Sequence, residues 1–135
     1  MKLSHNAKIL ALLLLMFIAC GILLTPLGFE TRASAVLGNP ASLPWLGLGF
    51  SGLILNAVSL ILLFVGARIA SILATIGSIG SAFLFLADQA GVAVSIRPPP
   101  TITAVEIVAT VLIVAIVCFA SRVYRETGLE LGRAT

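Results

Sequence analysis

The sequence predicts an all-α integral membrane protein, a bundle of four transmembrane helices whose N and C termini are both cytoplasmic. Of its 135 residues, 60% are hydrophobic and only 10% are charged. The mean hydropathy is +1.21. A soluble domain of this size needs a mostly polar exterior. The composition therefore indicates that membrane lipid covers the chain, and that residues 1–135 form a single transmembrane domain.

Four apolar stretches have the length that a spanning helix requires. About 20 residues are needed, because about 30 Å of hydrocarbon is crossed at about 1.5 Å per residue. A single helix over the second and third stretches would place Arg68 inside the hydrocarbon, so we expect the chain to turn there. The predicted spans are residues 9–27, 45–65, 69–87 and 104–120, with an outer loop at 28–44 and a cytoplasmic tail at 121–135.

The distribution of Lys and Arg predicts the orientation, since cytoplasmic segment ends carry an excess of these residues. With the N terminus inside, only Arg32 and Arg97 lie outside. Trp45 and Tyr124 are expected at the outer and inner interfaces, where aromatic side chains collect. We therefore expect a multi-pass protein of the cell (plasma) membrane. The residues on the cytoplasmic side are then Lys2, Lys8, Arg68, Arg122, Arg125 and Arg133.

An alternative for the N-terminal segment is a secretory signal peptide that is cleaved. Residues 1–8 are basic, an apolar run follows, and residues 33–35 (Ala-Ser-Ala) resemble a cleavage site. The apolar run has about 19 residues, whereas the apolar core of a signal peptide has about 7 to 15. This length favours a retained first helix, and cleavage stays open.

Small residues in the second and third spans predict close helix packing. In the third span, Gly66, Ala70, Ala74, Ser78 and Ala82 recur at intervals of four. Small side chains let helices approach closely, which favours their association in lipid. Packing within the chain is the favoured interpretation, and self-association or contact with another subunit is the alternative. For the glycines at 47, 49 and 52, close helix contact is favoured over a nucleotide-binding loop, because they open an apolar span.

Asn56 lies about half-way through the second span. An unpaired amide in hydrocarbon costs several kcal/mol, so we expect this side chain to face the bundle. Its predicted partner is a hydroxyl group such as that of Ser71, Thr75 or Ser78, or a backbone carbonyl. The alternative is that Asn56 lines a path for a substrate or an ion through the membrane.

Two carboxyl groups lie near span ends. Glu106 follows Thr103 at the spacing of a capping box, which predicts a role at the start of the fourth helix. The alternative is a transport carboxylate within the membrane. Asp88 ends the third span, where its charge opposes the helix dipole. We expect a cation to offset it, and we predict an interfacial pair with Arg97, although Arg32 is on the same side.

The sequence predicts no catalytic, cofactor-binding or metal-binding residues. His5 is the single histidine and lies in the N-terminal tail, so a haem, a zinc site or a Ser-His pair inside the membrane lacks its ligand or base. Cys20 and Cys118 are expected at different depths and therefore unpaired. The basic residues do not alternate with aromatic residues in a run, so nucleic acid is not an expected partner.

These observations favour a non-catalytic accessory or structural subunit of a larger membrane assembly. Its expected partners are membrane lipid and other membrane protein subunits, or a further copy of itself. The alternative is a small oligomeric transporter or channel that uses Asn56 and Glu106. A pore needs its polar groups along a single water-accessible path, whereas an accessory subunit should have them individually capped or paired and should keep a flat small-residue face for its neighbour.

Overall fold

Helices account for most of the chain. The computed structural model describes residues 3–134, with side chains through Leu129. Within that range it contains four α-helices, one short 3-10 helix and no β-strand, so the all-helical prediction is confirmed. Each α-helix is long and apolar enough to cross a membrane. The α-helices are α1 (His5–Leu37), α2 (Leu43–Leu62), α3 (Ala67–Gln89) and α4 (Pro100–Ala134), and the 3-10 helix is Pro40–Ser42.

The α-helices pack in a ring in which each one contacts two neighbours. Their order around the ring is α1, α2, α3 and α4, and α4 closes the ring against α1. The contact between α2 and α3 is the most extensive, and that between α1 and α2 is the least. Consequently α1 and α3 lie diagonally opposite each other.

Side-chain contacts bring three segments together at one end of the bundle, which we call the Arg68 end. Arg68 Nη2 donates to the Tyr124 hydroxyl group over 2.8 Å, and the guanidinium carbon lies 4.7 Å from the centroid of that ring. The Ser4 hydroxyl donates to the Glu126 carboxylate over 3.0 Å, and the Asn6 amide donates to the same carboxylate. The start of α1, the α2–α3 turn and the last part of α4 therefore share one end.

The first helix is longer than its predicted span. It begins after Ser4, whose hydroxyl accepts a hydrogen bond from the Ala7 amide over 3.2 Å. Residues 28–37, predicted as part of the outer loop, are helical, and only residues 38–42 connect α1 to α2. A kink at Arg32 (φ −138°, ψ 20°) interrupts the helix near its end. The prediction failed here because charged residues such as Glu30 and Arg32 end an apolar stretch without ending a helix.

Glycines form the contact between α2 and α3. A Cβ atom added at Gly77 would lie 2.7 Å from the Gly52 carbonyl oxygen, and one added at Gly52 would lie 2.6 Å from the Gly77 carbonyl oxygen. The two backbones therefore touch, which is how small residues pack helices in lipid. A Cβ atom at Gly49 would meet the Leu84 side chain, whereas one at Gly47 would meet nothing within 4 Å.

The small-residue row of α3 lies along the interior of the bundle. Ala70, Ala74 and Ser78 are completely buried, and Gly66 and Ala82 are half-buried. The three central residues are covered by this chain alone, so they leave no small-residue face for a second subunit.

The fourth helix also exceeds its predicted span. It begins at Pro100. Proline suits the first position of a helix, because the backbone N–H at that position has no intrahelical hydrogen-bond acceptor. Residues 90–99 connect it to α3, and Gly91 in this connection has a φ of 71°, which glycine adopts without strain. Residues 121–134, predicted as a tail, continue the helix.

The exterior of the bundle is apolar on all four helices. The core contains Leu10, Leu14, Ala109 and Ile116. Large apolar side chains also cover the outside on every helix, whereas soluble monomers rarely expose large contiguous apolar patches. Examples from the four helices in order are Leu12 and Ile22, Ile61, Phe83 and Val111.

The glycine contact predicts the effect of Gly77→Ala. Because the new Cβ would meet a backbone oxygen, α2 and α3 must separate, and we expect the free energy of unfolding to fall by about 1–3 kcal/mol. Gly47→Ala is the matched control, since its Cβ meets nothing and alanine favours the helix. Thermal unfolding in detergent micelles measures both variants. Equal stability of the two would contradict the close approach of these helices.

Candidate functional site

A buried ion pair lies at the end of the bundle opposite Arg68, which we call the Arg32 end. Arg32 Nη1 donates to Asp88 Oδ1 and Nη2 donates to Oδ2, each over 2.8 Å. Arg32 and Asp88 are only 6% and 4% exposed. Nη1 also donates to the Ile96 carbonyl over 3.4 Å. The pair therefore links α1 to α3 across the diagonal of the ring and to the connection before α4.

The predicted pair of Asp88 with Arg97 is wrong. Arg97 is exposed in the connection between α3 and α4, although it is only nine residues from Asp88 in sequence. A buried carboxylate needs a partner that is buried with it, and the planar guanidinium of Arg32 matches the carboxylate with two parallel hydrogen bonds. Burial, rather than sequence separation, selects the partner.

Glu106 lies at the same end of the bundle and is 5% exposed. The Gln89 side chain donates to Glu106 Oε2 over 2.5 Å and to the Thr103 hydroxyl over 3.3 Å. The predicted capping box is wrong, because α4 begins at Pro100 and the Thr103 amide donates to the Pro99 carbonyl. Glu106 therefore lies in the second turn of α4, and its carboxyl group bonds to the end of α3.

Asn56 is completely buried between α2 and α3. Its amide nitrogen donates to the Gly52 carbonyl over 2.8 Å, and its Oδ1 accepts from the Ser78 hydroxyl over 3.2 Å. Ser78 is one of the three predicted hydroxyl partners. Nearby, the Ser59 hydroxyl donates to the Ala70 carbonyl over 2.7 Å. This group joins two helices and is separate from the polar groups at the Arg32 end.

A cleft of about 130 Å³ lies between α1 and α2, the pair of adjacent helices with the least contact. Phe29 of α1 and Phe50 of α2 line this cleft and are also exposed. Most of its wall is apolar, and one end is polar. The α1–α2 cleft is lined by Phe17, Leu24, Gly28, Phe29, Trp45, Phe50 and Leu53, and at its polar end by Arg32, Ser42, Asp88 and Glu106.

Two buried donors at the polar end have no hydrogen-bond partner among the described residues. They are Arg32 Nε and the Ser42 hydroxyl, and both residues line the α1–α2 cleft. Ser42 precedes α2, but its side chain makes no capping hydrogen bond there. Buried polar groups in folded proteins nearly always have a partner, so an exception needs a physical explanation.

The chemistry that these residues offer is hydrogen bonding at the end of an apolar cleft. In residues 3–129, no group of three or more His, Cys, Asp or Glu side chains is placed to hold a metal ion. Cys20 and Cys118 are both unpaired. A cleft with donors at one end and apolar walls elsewhere suits an amphiphilic ligand.

Comparison of the chain with protein-family models, curated proteins and solved structures found no match.

Sequence reasoning missed two residues of this site, Ser42 and Gln89, and it preferred Arg97 to Arg32 as the partner of Asp88. The sequence carries a usable signal for Arg32, because apolar residues continue after it at positions 33 and 35–37. An arginine between apolar segments is a candidate for burial if a partner exists. Ser42 and Gln89 resemble ordinary loop and helix-end residues and give no such signal.

The ion pair predicts a non-additive pair of mutations. Arg32→Met leaves the Asp88 carboxylate buried without its partner, and Asp88→Leu does the same to the guanidinium. We expect each variant to lower the free energy of unfolding by about 3–5 kcal/mol. The double variant removes both charges, so it should recover most of that loss.

Unfolding of the purified chain in detergent micelles measures this effect. Arg97→Met is the control, and it should have almost no effect because Arg97 is exposed. A loss on Arg97→Met as large as that on Arg32→Met would favour the alternative ion pair and contradict the observed one.

Proposed function

We propose that this chain is a multi-pass protein of the cell membrane that serves as a non-catalytic accessory or structural subunit of a larger membrane assembly. Both termini are proposed to be cytoplasmic. The observation that carries this proposal is that Asn56 bonds within the α2–α3 contact, apart from the Arg32–Asp88 pair and Glu106, which share the Arg32 end. The internal polar groups therefore do not line a single path through the bundle.

The apolar exterior supports insertion into a membrane. Large hydrophobic side chains such as Leu15, Ile54, Ile76 and Val114 are exposed on successive helices. Exposure of these side chains to water is unfavourable, whereas a helix surface in contact with lipid acyl chains has to be apolar. The pairing of the internal polar groups supports the same proposal, since an unsatisfied polar group in hydrocarbon costs several kcal/mol.

The charge distribution supports the proposed orientation. Arg68 lies beside the last part of α4, together with the start of α1. Arg122 and Arg125 are exposed in that part of α4. Lys2 and the Arg133 side chain lie outside the described residues. An excess of basic residues at the Arg68 end is typical of the cytoplasmic side.

A small oligomeric transporter or channel is the second candidate, and one observation favours it. Glu106 lines the polar end of the α1–α2 cleft, where a bound cation or proton could be exchanged. Asn56, however, is buried between α2 and α3 and bonds to both of those helices. A pore through this site would therefore lack the second polar residue that the sequence suggested.

Co-purification tests the subunit proposal. A tagged copy expressed at its native level is cross-linked in cells, extracted in mild detergent and purified, and the proteins that accompany it are quantified by mass spectrometry. We expect one or more membrane proteins in near-stoichiometric amount, absent from a similarly tagged unrelated four-span protein. Recovery of copies of this chain alone, with ion flux in liposomes that Glu106→Gln abolishes, would instead support the transporter.

Cysteine labelling tests the orientation. In a chain with Cys20 and Cys118 changed to alanine, single cysteines are placed at Val92 and Leu129, both of which are exposed in the structure. We expect a membrane-impermeant maleimide to label Val92→Cys on intact cells and Leu129→Cys only after permeabilisation. Labelling in the opposite order would contradict the cytoplasmic location of the termini, and labelling of both on intact cells would contradict the membrane topology.

A further inference from the structure

The α1–α2 cleft has a definite length and direction. From Phe17 to Arg32 it follows fifteen residues of α1, or about 22 Å at about 1.5 Å per residue. Half of a bilayer's hydrocarbon is about 15 Å thick. The cleft is thus long enough to follow an acyl chain from the level of its ester groups to the middle of the bilayer.

The walls of the cleft suit an apolar chain. Leu24, Phe29, Phe50 and Leu53 contribute hydrocarbon surface, and Gly28 leaves space where any other residue would place a side chain. The cleft has a volume of about 130 Å³. A buried cavity that admits a benzene-sized ligand has a similar volume, about 150 Å³. It therefore encloses only part of an acyl chain, and the remainder would lie along the open side between Phe29 and Phe50.

The polar end of the cleft provides hydrogen-bond donors. Ser42 is completely buried, and its hydroxyl has no partner among the described residues. Arg32 Nε lacks a partner as well, although the other two nitrogens of that guanidinium bind Asp88. The O–H bond of a serine turns by rotation about Cβ–Oγ, with no change in the backbone. An acceptor beside Ser42 would therefore satisfy a donor that the chain itself leaves unpaired.

The charges at this end select a neutral acceptor. Arg32 is bonded on two nitrogens to Asp88, and Glu106 adds a second carboxyl group to the same lining. No excess of positive charge is left to attract a phosphate. A lipid ester carbonyl is a neutral acceptor, and it lies at the membrane interface, where Trp45 of this cleft is also expected.

We propose that the α1–α2 cleft binds one acyl chain of a membrane glycerolipid, with the ester carbonyl of that chain accepting a hydrogen bond from the Ser42 hydroxyl beside Arg32. The inference rests on the membrane insertion proposed above, but it does not require a protein partner. Lipid binding by the isolated chain and co-purification of other subunits can therefore fail independently.

Native mass spectrometry of the purified chain in detergent tests this site, with dioleoyl-phosphatidylcholine and its diether analogue as probes. The diether lipid has the same headgroup and no ester carbonyl. We expect the wild-type chain to bind one diester lipid more tightly than the diether lipid by about three- to tenfold, the effect of one hydrogen bond. Ser42→Ala should bind the two lipids equally.

Gly28→Leu tests the apolar wall. A Cβ atom at Gly28 meets nothing within 4 Å, so a leucine is accommodated at its point of attachment, and the rest of its side chain takes up space at the wall of the cleft. We expect it to weaken binding of the diester lipid by about tenfold or more, which corresponds to about 1.4 kcal/mol. Gly47→Leu is the matched control, because its Cβ also meets nothing and Gly47 does not line the cleft.

Ser42→Ala removes no hydrogen bond made within the chain, so we expect this variant to fold. The comparison of diester and diether lipids in Ser42→Ala therefore still tests the proposal if Gly28→Leu fails to fold. Equal binding of the lipid by Gly28→Leu and Gly47→Leu would overturn the proposal. The proposal would also be overturned if the wild-type chain retained no lipid, or if Ser42→Ala still bound the diester lipid more tightly than the diether lipid.

Discussion

The buried ion pair of Arg32 and Asp88 is the interaction on which the arrangement of the bundle depends. Two opposite charges are stable in an apolar interior only when they meet with good geometry, and here the guanidinium and the carboxylate make two parallel hydrogen bonds. The pair joins α1 to α3, which do not neighbour each other in the ring. It also holds the connection before α4 through the Ile96 carbonyl.

The two interfaces of α2 differ because of their side chains. Toward α3, Gly52 and Gly77 bring the backbones into contact, and Asn56 adds a hydrogen bond to Ser78. Toward α1, the contact is much less extensive, and the α1–α2 cleft lies between the two helices. Since α1 is held by its packing on α4 and by the ion pair to α3, it needs little contact with α2. An open cleft can therefore persist at this interface without loss of the bundle.

The sequence predicted the parts of the structure that follow from local pattern. Apolar length predicted four helices, and the amide of Asn56 required a partner such as Ser78. The charge of Arg68 predicted a turn at that residue, and the turn lies just before it, at residues 63–66, with Arg68 in the first turn of α3. Helix ends were predicted less well, because hydropathy reports the depth of a residue and not its backbone conformation. The continuation of α1 past Gly28 and the start of α4 at Pro100 both show this.

The sequence placed both Arg32 and Arg97 on the same side as Asp88, but the choice between them depends on how α1 lies relative to α3. Arg97 is near Asp88 along the chain, whereas Arg32 is 56 residues away and reaches it across the bundle. The same lateral arrangement creates the cleft and leaves Ser42 unpaired at its end. Sequence spacing contains no information on such a diagonal contact.

Solid-state NMR in lipid bilayers tests the ion pair most directly. Asp88 is the only aspartate in the chain, so a protein labelled with ¹³C at aspartate carboxyl groups and ¹⁵N at arginine guanidinium groups has one carboxylate reporter. We predict dipolar dephasing between that carboxylate and a guanidinium nitrogen at direct hydrogen-bonding distance, lost in Arg32→Lys and retained in Arg97→Lys. Dephasing that survives Arg32→Lys and disappears in Arg97→Lys would contradict the central contact of this structure.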